Sequence, residues 1–105
     1  MMDLKKIYEK INELASSENY KERFIAEYWQ TKIRYEKLKK FNNRIEAYQR
    51  VRVSDVNTRV EEPTHDCPAD LLREQQQLMG EYLHVLEVRA VIENVDLTLP
   101  DSFFN

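Results

Sequence analysis

The chain has 105 residues, 42% hydrophobic and 33% charged, with a net charge of −3. That suits one small globular domain. It excludes a disordered chain, and no window of ~18 apolar residues could span a membrane. One glycine and three prolines argue against a turn-rich all-β fold, and the single Cys67 cannot form an internal disulfide.

Leu4, Ile7, Ile11 and Leu14 recur at helical steps, so a short first helix is expected over 3–15. Ser16 and Ser17 interrupt it, and either can cap the next helix. A long second helix is expected over 18–49. Phe24, Tyr28, Thr31, Tyr35, Leu38, Ile45 and Tyr48 form a near-heptad seam, with Phe41 or Asn42 in its gap. Ile25, Trp29 and Ile33 make a second ridge, which calls for a second neighbour: the first helix or another subunit.

The stretch from Val51 to Pro63 is rich in Val and Thr and is read as an extended loop or short ribbon. The loop as a whole is placed at 50–66. Pro68 suits the first turn of a third helix over 68–93, with Asp66 or Cys67 near its cap and Asp70 favoured by the dipole. Its stripe is Leu72, Met79, Leu83, Leu86 and Ala90, widened by Leu71, Leu78, Tyr82 and Val91. Gly80 is either a tolerated exposed glycine or a point of close approach by another helix. Asn94 is placed as a left-handed cap, followed by Val95. The tail, 96–105, carries Leu97, Leu99, Phe103 and Phe104, which are expected to dock on the hairpin or on another subunit. The fold reading is therefore all-α: one domain over 1–105, a short N-terminal helix and a long antiparallel hairpin, assembled as a homo-oligomer.

Charge is unevenly placed. Eight basic residues fall between Lys32 and Arg52, opposed by Glu36 and Glu46 alone, whereas the chain after Arg52 is acidic. Lys37, Lys40 and Arg44 share a face. Lys32, Lys39 and Arg50 are read as not all facing one way. Tyr28, Lys32 and Tyr35 cluster at i, i+4 and i+7, an arrangement in which a base stacks on tyrosine while a cation meets phosphate. The plain alternative, favoured for either tyrosine alone, is a core position in the seam. His65, Asp66 and Cys67 are adjacent, but a cysteine there is read as a small buried plug rather than a nucleophile. No metal or cofactor is expected, and no catalytic motif is present.

Two segments, "RFIAEYWQTKIRYEKLKKFNNRIE" from Arg23 to Glu46 and "CPADLLREQQQLMGEYLHVLEVRAVIENVDL" from Cys67 to Leu97, carry a resemblance. The pattern resembles small helical-hairpin proteins of tailed bacteriophages and prophages, including crAss-like phages. Leu71, Leu72, Gln75, Met79, Tyr82, Leu83, Leu86, Glu87, Arg89 and Ala90 carry it. More distantly the chain resembles phage sponge proteins that bind cyclic-nucleotide immune signals and so counter CBASS and Thoeris defence. The resemblance implies a non-enzymatic counter-defence protein of the host-cell cytoplasm that sequesters such a signal. Its candidate contacts are Tyr28, Lys32, Tyr35, Lys37, Lys40 and Arg44, with Arg73 and Arg89 from the return helix. The alternative is a protein-binding module, either an inhibitor of a host defence enzyme such as a CRISPR effector or a small assembly factor. Duplex DNA is not expected as a partner, because no helix-turn-helix precedes the basic helix and the net charge is acidic.

Overall fold

The computed structural model describes residues 4–54 and 60–99. The expectations for Val56, Phe103 and Phe104 lie outside the described residues. Three helices are present, α1 (Leu4–Ala15), α2 (Tyr20–Arg52) and α3 (Ala69–Glu93), and no strand occurs among the described residues. The chain is all-α, with a short first helix and a long hairpin of α2 and α3.

The hairpin is antiparallel. Asn42 of α2 meets Leu72 and Gln76 near the start of α3, while Phe24 near the start of α2 lies under Arg89. The seam residues Phe24 and Tyr28 are buried with Leu83, Leu86 and Ala90 of α3, and Val95 closes that end. Asn42, not Phe41, fills the gap in the seam and is buried. Phe41 turns aside and meets the His65 ring edge-on at 6.2 Å.

The second ridge of α2 is taken by α1. Trp29 and Ile33 pack with Ile7, Ile11, Ala26 and Leu99 in a second apolar cluster. Because Ala26 and Ile33 point away from Phe24 and Tyr35 around α2, α1 and α3 lie on opposite sides of it. The central helix therefore carries two cores.

Helix ends differ from expectation at three places. The N-cap of α2 is Asn19, whose side chain accepts from the Lys21 amide at 2.9 Å. Ser17 supports it, accepting from the Asn19 amide and donating to Glu22. At the other end α2 runs on through Val51 and Arg52, where side-chain propensity alone favours extended backbone. Basic side chains favour the last turn electrostatically, and Arg50 pairs with Glu46 at 2.9 Å one turn back. The cap of α3 is Pro68 itself, with no side-chain cap bond, and α3 starts at Ala69.

The tail begins with a closed turn. Asn94 is left-handed (φ 54°), the Val95 amide donates to Ala90 O at 2.8 Å, and the Asn94 amide donates to Val91 O. This is the paired 6→1 and 5→2 bonding of a Schellman cap. It turns the chain back across the hairpin, where Trp29 Nε1 donates to Leu97 O at 2.5 Å and Leu99 is buried against α1. No helix among the described residues is long and apolar enough to cross a membrane.

Candidate functional site

Along one side of the α2–α3 contact the hairpin leaves an open groove of about 800 Å3. From α2 it takes Tyr35, Asn42, Asn43 and Glu46. From α3 it takes Arg73, Gln76, Gln77, Gly80, Glu81, His84 and Val85. The positions follow from helical spacing, since Tyr35, Asn42, Asn43 and Glu46 fall on one side of α2 at steps of three, four and seven.

Gly80 sets the position of the aromatic wall. A Cβ built there would stand 3.2 Å from Tyr35 Cε1, closer than a ring and a methyl normally pack. The glycine is thus a point of close approach, made by the Tyr35 side chain. The Lys32 ammonium lies 5.9 Å from the Tyr35 ring centroid and 3.3 Å from Glu36. Below, the Asn42 side-chain amide donates to Leu72 O and to Gln76 Oε1 at 3.1 and 2.9 Å. Asn42 Oδ1 is buried without a hydrogen-bond partner.

Of the eight residues singled out from the sequence, the groove holds Tyr35 and Arg73, with Lys32 beside them. Tyr28 is 7% exposed, and its hydroxyl donates to Glu87 across the hairpin at 2.6 Å. Lys37, Lys40 and Arg44 are exposed on the side of α2 away from the groove. There Lys37 lies 5.2 Å from the Tyr8 ring centroid of α1, and Arg44 lies beside Phe41. Arg89 covers the Phe24 ring at 4.6 Å and pairs with Glu93 at 2.8 Å. It is 16 residues along α3 from Arg73, or about 24 Å. One small ligand on one chain does not touch all eight.

Sequence reasoning missed two sets of groove residues. Lys39 is four positions after Tyr35 and three and four before Asn42 and Asn43, so helical spacing sets it on the groove side of α2, where it is exposed. The reading that Lys32, Lys39 and Arg50 diverge is corrected by the unbroken helix. At about 100° per residue, offsets of seven and eighteen positions return to within about 20° of the start. Asn42 was read only as a candidate for the gap in the seam, and the amides Asn43, Gln76 and Gln77 carried no signal, because polar side chains on separate helices read as solvated surface until the helices pair.

Cys67 is exposed, so it is not the buried plug expected at the loop–helix junction. His65 explains the order there: its Nδ1 donates to the Cys67 carbonyl at 2.6 Å. No group of three or more His, Cys, Asp or Glu side chains is placed to hold a metal ion among the described residues.

The groove lining offers an aromatic ring, four amides and charges of both signs, Arg73 against Glu46 and Glu81, a surface suited to stacking and hydrogen bonding. The fold and groove thus define a small helical binding hairpin. Residues 18–92 match the Sequestin family, and the chain belongs to that family. No curated protein and no solved structure matches the chain.

Proposed function

We propose that this protein sequesters a cyclic-nucleotide immune signal without altering it, as a counter-defence protein encoded by a bacteriophage and acting in the host cytoplasm. The observation that carries the reading is the α2–α3 groove, where Tyr35 packs on Gly80 with Lys32 over its ring, and where Arg73 and the amides Asn43, Gln76 and Gln77 line the same opening. The family name, Sequestin, supports a sequestering role over a catalytic one. Stacking on Tyr35 holds the base, the amides meet its edge, and the cations meet phosphate. Titration is the mechanism: bound signal is unavailable to the host effector. Tyr28 acts from the core by fixing α2 against α3. Lys37, Lys40, Arg44 and Arg89 would meet ligand held by another copy in a homo-oligomer.

Calorimetry against cyclic di- and trinucleotides and cyclic ADP-ribose isomers tests this. One class is expected to bind tightly, with Tyr35→Ala and Arg73→Ala each weakening it at least ~10-fold, or about 1.4 kcal/mol. Silence across the whole panel overturns the reading. Binding of one dominant host protein with no small ligand would instead favour the protein-binding alternative.

A further inference from the structure

We propose that the outer face of α3 is a self-association surface that receives a second copy of this chain. The inference rests on the reading of the protein as a homo-oligomer, but not on which ligand the groove takes.

Leu71, Leu78, Val85 and Ile92 are 51%, 57%, 52% and 77% exposed on the hairpin. They recur every seven residues, so they form one stripe about 32 Å long on the side of α3 turned away from α2. Val88, 45% exposed, widens it, whereas Tyr82, 41% exposed, leans back to α2, where its hydroxyl donates to Glu27. In the sequence Leu71, Leu78 and Tyr82 read as part of the core stripe. The structure gives α2 only the other edge, with Leu83, Leu86 and Ala90 buried.

Period and area identify the occupant. A seven-residue apolar repeat is one row of a left-handed helix seam; the companion row, three positions on, holds Glu74, Glu81 and Val88, so a partner helix with the same repeat and length would dock along the apolar row with the carboxylates at its rim. The α3 helix of a second copy is such a partner, and the match is reciprocal, as a two-fold contact requires. Five large side chains, each about half exposed or more, present on the order of 500 Å2 of apolar area, toward the upper end for a free monomer. A stable dimer buries about 800 Å2 per partner, so this stripe supplies most of an interface core.

The chain's own tail is a poor occupant. Its described apolar residues are already engaged elsewhere: Leu97 accepts from Trp29, and Leu99 is buried against α1, across α2 from α3. A second copy also bears on the groove. Val85 belongs to both the stripe and the α3 wall of the groove, and Glu81 of that wall lies beside the stripe, so a copy docked on α3 would stand beside the groove mouth and add a wall to it.

Native mass spectrometry and light scattering of the full chain decide the matter. The wild type is expected to self-associate at low micromolar concentration. Leu78→Glu/Val85→Glu is expected to be monomeric, at least ~100-fold weaker in self-association, with an unchanged helical circular-dichroism spectrum. Should that pair lose helicity, Ile92→Glu near the helix end carries the same expectation. A wild type that is monomeric at ~100 μM overturns both this surface and the homo-oligomer reading, and leaves the face to a foreign partner. An oligomer that survives the face substitutions overturns this surface alone. If deleting 100–105 dissociates the oligomer while the face substitutions do not, the tail is the contact and the α3 proposal is wrong.

Discussion

The Tyr28 hydroxyl donates to Glu87 Oε2 from a ring packed among Phe24, Leu83 and Leu86. Burial, then the bond to Glu87, then its negative charge push the phenol up to about 12 from the usual 10. Below pH 10 the phenol is protonated in both folded and unfolded chains, and its contribution is whole. Between 10 and about 12 the unfolded chain releases the proton while the folded chain keeps it, so stability falls as pH rises. Two units correspond to about 2–3 kcal/mol. Tyr28→Phe should therefore cost about 1 kcal/mol at neutral pH, from the lost hydrogen bond, yet lose less stability than the wild type from pH 10 to 12. Urea denaturation across that range reads both effects. Equal alkaline losses in the two proteins would show that the phenol is not held protonated by this site. Tyr82 is shifted the same way, chiefly by its hydrogen bond to Glu27, so some alkaline sensitivity remains in the variant.

Among the elements, α3 ends in a device that joins both cores. Left-handed Asn94 redirects the chain so that Val95 closes the first cluster, Leu97 accepts from Trp29 and Leu99 enters the second. For a residue with Cβ and no local side-chain hydrogen bond that conformation costs about 1 kcal/mol, and glycine adopts it freely. Asn94→Ala should lower stability by about 1 kcal/mol, with earlier exposure of Trp29, the single tryptophan, in fluorescence-monitored unfolding. Asn94→Gly should match the wild type. Equal behaviour of the two variants would remove the left-handed cap from this account. The asparagine was legible in the sequence because it ends a periodic run and precedes an apolar residue. The three helices were legible for a similar reason, since apolar side chains at three- and four-residue steps leave few other ways to be buried. Helix ends were less so. Ser16, Ser17 and Asn19 are all competent caps, and only the bond to the Lys21 amide selects Asn19. Val51 favours extended backbone by propensity, but an established helix with cations in its last turn carries through it. The groove was legible in part: Lys32 and Tyr35 stood out by type and spacing and Arg73 as a cation of the return helix, whereas Asn42 and Gln76 acquire their partners only when their helices meet.

At the scale of the whole molecule the radius of gyration is 17.4 Å, against about 13 Å for a compact domain of this length. Three helices laid side by side bury two thin cores and leave both the groove and the outer face of α3 open. A fold with so little margin should be strongly stabilised by a ligand that bridges α2 and α3, because Tyr35 and Arg73 belong to different helices and separate when the hairpin opens. Ligand at about 100 times its dissociation constant adds about 2.7 kcal/mol. For a domain near 100 residues each kcal/mol moves the melting temperature by roughly 4–8 °C. The sequestered signal should therefore raise Tm by about 10 °C or more in a thermal-shift titration. The increment should shrink in high salt, because Lys32, Lys39 and Arg73 are exposed enough to be screened. Heating past Tm should release the ligand chemically unchanged by mass and chromatographic retention, since titration consumes nothing. A linearised form of the same nucleotide recovered in its place would mean that the hairpin cleaves what it binds.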